Sequence, residues 1–130
     1  MIPRFSTFMR APFEDLRVWQ TAQKLAVEIY RTTELFPASE RYSLSAQLRR
    51  AAISVSANIA EGNARRFRRE YIQACYVARG SIAEVKSLLN LSFRLGFLAH
   101  PDYCALLEGY NNAGRMLQRL IARLDDTAKG

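Results

Sequence analysis

Residues 47–81 read QLRRAAISVSANIAEGNARRFRREYIQACYVARGS, two helical patterns that meet at Gly62. Before the glycine, Leu48, Ala52, Val55 and Ile59 recur at steps of three and four, the spacing of one buried helix face. Beyond it, Cys75, Ala78, Ile82, Val85, Leu89 and Ser92 do the same. Ser54, Ser56, Asn58 and Ser81, set among Ala and Ile, suggest close, partly polar helix packing. The stretch therefore predicts an α-helical hairpin.

Working outward, the same period continues on both sides. Residues 14–36 predict a first helix with a stripe of Val18, Ala22, Leu25, Ile29, Thr32 and Phe36. Glu14 and Asp15 suit the positive end of its dipole, and Pro37 stops it. The second helix is expected to start at Ser39 as N-cap and to end at Gly62 as the C′ glycine. The third is predicted over residues 67–95, closed by Gly96. The fourth opens at Pro101-Asp102 and runs to about Asp126 through Tyr103, Leu106, Tyr110, Ala113, Leu117, Leu120 and Leu124. No segment alternates with period two, and the connections are short. The expected fold is all-α, an antiparallel up-down-up-down four-helix bundle over residues 13–126. An irregular N-terminal arm is expected over residues 1–12 and a C-terminal tail over 127–130.

A chain of 130 residues, 49% apolar, suits one domain with one core. No apolar run approaches the ~20 residues of a membrane span, and the first residues lack the apolar stretch of a secretory signal. The expectation is a cytoplasmic protein without a membrane partner. Cys75 and Cys104 read as free, small apolar residues in helices, with a disulfide or redox pair as the alternative.

Charge is concentrated. Of the 19 basic residues eight lie in residues 41–79, against Glu61 and Glu70 alone, giving this segment +6 of the net +7. Arg65, Arg66, Arg68 and Arg69 surround the start of the third helix, where the dipole disfavours cations. Glu70 could pair with Arg66. An anion arriving there would meet guanidinium groups and free helix N–H groups together. Arg49, Arg50, Arg65, Arg66, Arg68, Arg69 and Arg79 are thus candidate phosphate contacts, the alternative being a solvated charged turn. Phe67, between the Arg pairs, would stack on a base or serve as a staple or subunit contact.

Two further groups stand out. Ala46, Ile53, Ala57 and Ala60 lie nearly opposite the core stripe of the second helix. Burial on both sides predicts a neighbouring subunit, with Ile53, Ala57 and Ala60 near the contact. Asn58, Glu61, Arg79, Ser81 and Glu84 would meet if the helices pack antiparallel about Gly62. They would then form a polar network fixing helix register, or a ligand pocket. Nothing points to catalysis. His100, the sole histidine, is placed in a loop beside Pro101, Glu-x-x-His pairs are missing, and Gly62 and Gly80 stand alone. No catalytic residue, metal ligand set or cofactor is expected.

The motifs Leu16 with Trp19, Phe36 to Arg41 (FPASER), Asn58 to Gly62 (NIAEG) and Ala78 to Glu84 (ARGSIAE) resemble those of the 23S ribosomal RNA intervening-sequence proteins. The resemblance covers about residues 13–98. It implies a cytosolic four-helix bundle without known enzymatic activity, assembled as a closed ring, a pentamer among relatives. Distant relatives serve diversity-generating retroelements as basic five-subunit barrels that bind nucleic acid and a reverse transcriptase. This chain departs from the pattern where Phe67 replaces a common Ser, and where Lys86 and Leu88 replace Glu and Gln. The expected function is a non-enzymatic homo-oligomer that binds RNA or DNA, RNA before DNA, through the basic second and third helices. The alternative is a self-assembling scaffold for an unidentified protein partner.

Overall fold

The computed structural model describes the backbone of residues 11–129 and the side chains of residues 11–126. Helix α1 (Arg17–Glu34) starts later than its sequence pattern. Residues Pro12–Asp15 form a separate 3-10 turn in which Glu14 accepts the Ala11 N–H at 2.7 Å, and extended Leu16 then interrupts the run. Thr33, not Thr32, takes the buried place near its end, because its hydroxyl donates to the Ile29 carbonyl at 2.7 Å.

Helix α2 (Leu44–Ala64) is not capped by Ser39, which lies in a second 3-10 turn, Ala38–Glu40. Ser43 precedes the helix and makes no side-chain cap. Helix α3 (Arg68–Arg94) ends as expected at Gly96, whose φ of +81° suits a residue without Cβ. The N–H groups of Gly96 and Phe97 donate to the carbonyls of Phe93 and Ser92, both at 3.0 Å, which satisfies two carbonyls of the last turn. Helix α4 (His100–Lys129) begins at His100 and continues into the segment expected to be a tail. Residues 1–10 of the expected arm, and Gly130, lie outside the described residues.

Side-chain pairs fix the topology. Gln23 meets Ser56 and Thr33 meets Arg49; Ser54 meets Ser81 and Asn63 meets Tyr71; Arg79 meets Gln118 and Asn90 meets Tyr103. In each couple numbers rise along one helix and fall along the other, so successive helices are antiparallel. With α1 also packed on α4, the four helices close a bundle. Leu48, Val55, Ile59, Val85, Leu89, Tyr110 and Leu117 are fully buried in its core.

Gly62 is not a cap. The helix passes through it to Ala64 without positive φ, and the glycine is buried where α2 crosses α3. A Cβ there would lie 2.7 Å from the Ala74 Cβ and 3.1 Å from Tyr71 Cδ1. Close approach, rather than chain reversal, explains the residue. Gly62→Val should therefore cost about 2–3 kcal/mol through overpacking, read as a lower urea midpoint. An unchanged midpoint would mean that the helices do not touch there.

Candidate nucleic-acid interface

The seven candidate Arg residues do not form one surface. Arg49 folds onto α1: its Nε donates to Thr33 Oγ1 at 2.8 Å and its Nη2 to Glu34 at 3.0 Å. Its guanidinium also lies 4.5 Å from the Tyr30 ring centroid. This side chain straps α1 to α2 and is committed there. Arg50 is exposed on the outward side of α2, about 22 Å along the axis from Arg65 at 1.5 Å per residue. Arg79 donates to Gln118 on α4 at 3.1 Å and stacks over Tyr76.

The α2–α3 turn keeps the other four together. Arg65 leaves α2 with an extended backbone and pairs with Glu61 at 2.7 Å and Glu70 at 3.6 Å. The Glu61 hydrogen bond, then the charges of Glu61 and Glu70, raise its pKa further. Glu70 thus meets Arg65 rather than Arg66, whose guanidinium lies 5.4 Å from the Phe67 ring centroid. Both local acids are engaged by one arginine. Arg66, Arg68 and Arg69 are exposed and form no ion pair among the described residues. Phe67 occupies the N-cap position of α3 without a side-chain cap and is 58% exposed, so it packs as no staple. Chemically, the turn offers three unpaired guanidinium groups, an exposed ring and the uncapped first turn of a long helix, a set suited to phosphate.

The expected polar network is smaller and differently composed. Asn58 Nδ2 donates to the Ser54 carbonyl at 2.8 Å and to Ser54 Oγ at 3.0 Å, and Ser54 Oγ meets Ser81 Oγ at 2.8 Å. Ser54 is therefore the missing link between Asn58 and Ser81. Glu61 and Arg79 are drawn away by Arg65 and Gln118, and Glu84 is exposed. Asn58→Leu should destabilise by about 1 kcal/mol, the net worth of such a bond. A denaturation midpoint that stays put or rises would show that the amide contributes nothing.

Outside the turn, His100 is helical, not in a loop. It opens α4, and its Nε2 lies 3.5 Å from Cys104 Sγ four residues on. No group of three or more His, Cys, Asp or Glu side chains is placed to hold a metal among the described residues. Cys75 is buried, and burial pushes its thiol up to about 11. At pH 8 about one Cys75 in a thousand would be ionised, so one thiol, the exposed Cys104, should react rapidly with a disulfide reagent. The second should appear only on unfolding. Two fast thiols would contradict the burial of Cys75.

Ile53 and Ala57 are exposed on the outward face of α2, and Ala60 is half-buried there. The register of α1 and α2 sets Val27, 48% exposed, level with Ile53. On the other flank, Val77, Leu91 and Leu95 of α3 are exposed too. The second apolar stripe of α2 is thus centred on an apolar surface of the single chain.

Residues 14–119 match the family described as 23S rRNA-intervening sequence protein. The chain belongs to this family. The matched span includes the whole α2–α3 hairpin with its arginine turn. No curated protein matches the chain. A crystal structure of a protein with unknown function from the S23 ribosomal protein family of Bacteroides thetaiotaomicron is similar, with a TM-score of 0.75 and 22% identity. The likeness covers 81% of this chain and 95% of that one, and at this identity it shows the fold. No helix among the described residues is long and apolar enough to cross a membrane.

Proposed function

We propose that this member of the family is a non-enzymatic, self-assembling helical module of the cytoplasm that binds nucleic acid, RNA before DNA, at its α2–α3 turn. The observation that carries the reading is the set Arg66, Arg68 and Arg69, exposed and without ion pairs at the start of the 27-residue α3. These groups reach phosphates and carry no base code, so the reading is backbone binding without sequence specificity. Phe67 beside them adds a ring on which any base can stack. Repetition of the turn around a ring, which family resemblance favours, would present several such turns to one strand and gain avidity.

The test is a set of binding curves for a single-stranded RNA and a duplex DNA at several salt concentrations. Tight binding at low salt that falls steeply as salt rises supports the reading, RNA being held more tightly than DNA. No binding of either at low salt defeats it. The alternative, a scaffold for itself and a protein partner, is favoured by the apolar outward face of α2 and would then be the better account.

A further inference from the structure

A cavity of about 410 Å³ lies in the groove between α3 and α4, on a side of the bundle away from the apolar face of α2. Arg79, Lys86 and Arg115 line it together with the amides Asn111 and Gln118, and no acid is among its lining residues. The cleft between the start of α1 and the end of α4 differs, because Asp15 shares it with Arg17, Arg119 and Arg123. Three details suit the α3–α4 groove to an anion. Lys86 is half-buried and makes no ion pair among the described residues. Arg79 donates to Gln118 across the groove and lies over the Tyr76 ring, contacts that direct its guanidinium toward α4. Arg115 has a single loose tie, 3.7 Å to Glu108, whose side chain is 76% exposed. The floor is open: Ala83 is small, and a Cβ on Gly114 would meet nothing within 4 Å.

The groove is also aligned with the turn. Arg68, Arg79 and Lys86 are separated by 11 and 7 residues, roughly three and two whole helical turns, so they share one edge of α3. The edge from Arg68 to Lys86 spans about 27 Å at 1.5 Å per residue.

We infer that the α3–α4 groove, through Arg79, Lys86 and Arg115, binds backbone phosphates of the same nucleic-acid strand that the α2–α3 turn engages. This rests on the nucleic-acid reading of the turn and extends the strand's path along α3.

The experiment uses the full chain and a fluorescent single-stranded RNA of about 20 nucleotides at low salt. Lys86→Glu and Gly114→Glu both put an acid into the groove, and the second does so where there is room for a side chain. Each is expected to weaken binding about tenfold and to make the log–log salt slope shallower by about 0.7 for every phosphate no longer engaged. Glu108→Gln, which releases Arg115, is expected to tighten binding several-fold, an effect that mere damage to the fold would not produce. Wild-type binding that both groove variants and Glu108→Gln leave unchanged would overturn the groove while leaving the turn in place. A wild-type protein that binds no RNA would overturn the nucleic-acid reading itself, and the groove with it.

Discussion

Replacing Arg66, Arg68 and Arg69 together with alanine is expected to lower RNA affinity about a hundredfold at low salt and to flatten its salt dependence. Each phosphate neutralised on a single strand releases counterions worth about −0.7 in the log–log slope, so freeing three phosphates reduces it by about 2. Arg65 is deliberately left in this variant. It is paired with both Glu61 and Glu70, and its removal would leave two uncompensated carboxylates facing the strand. Arg65→Ala would then weaken binding by repulsion as much as by removal of a cation. The three replaced residues are exposed, so stability should stay within about 0.5 kcal/mol and the assembly should remain intact. On the proposed reading, in which the arginines meet phosphates rather than bases, every RNA sequence should lose affinity alike. A slope that does not move would place the strand elsewhere. Loss of the oligomer would instead assign these side chains to a subunit interface.

How far the sequence carried the fold depended on whether one helix sufficed to read a residue. The stripe Cys75, Ala78, Ile82, Val85, Leu89 and Ser92 is buried throughout, because its period alone identifies the inward face of α3. Gly96 was also legible, in that reading a glycine after the last periodic residue as a helix stop holds there, at a φ of +81°. Gly62 was not. A C′ glycine and a glycine at a helix crossing look alike in sequence, and only the approach of Ala74 separates them. Arg49 failed for a related reason: its partners Tyr30, Thr33 and Glu34 lie one turn apart on α1, a grouping without meaning until the α1–α2 register is known. The polar network was half visible. Ser54, Asn58 and Ser81 stand out in sequence as polar residues of the helix packing, but Ser54, four residues before Asn58, was not joined to the network in which it is the link. His100 and Cys104 also stand four apart, but that spacing carries meaning only if α4 begins before Pro101. A proline in the first helical turn permits this, having no N–H to leave unpaired.

Ile53→Asp should abolish the proposed self-assembly while leaving the bundle folded. The inward side of α2 is filled by Leu48, Ala52, Val55 and Ile59, none of them exposed, whereas Ile53 is 46% exposed and packs on the opposite side. A charge at that position in one chain stays in water and costs little. The same charge pressed into an apolar subunit interface costs several kcal/mol unless it finds a partner, on top of about half the roughly 1.5–3 kcal/mol of a full isoleucine burial, because Ile53 is already about half covered in the single chain. In a closed ring that penalty recurs at each interface, so the substitution acts on the assembly far more strongly than on the chain. Ile53→Val trims one methylene and should leave the assembly in place, which separates reduced packing from an introduced charge. Light scattering reads the mass and circular dichroism the helices. A wild-type chain that is monomeric at micromolar concentration defeats the self-assembly reading at once. An assembly that survives Ile53→Asp moves the interface to another face. Unfolding of the variant would mean that Ile53 supports the bundle itself.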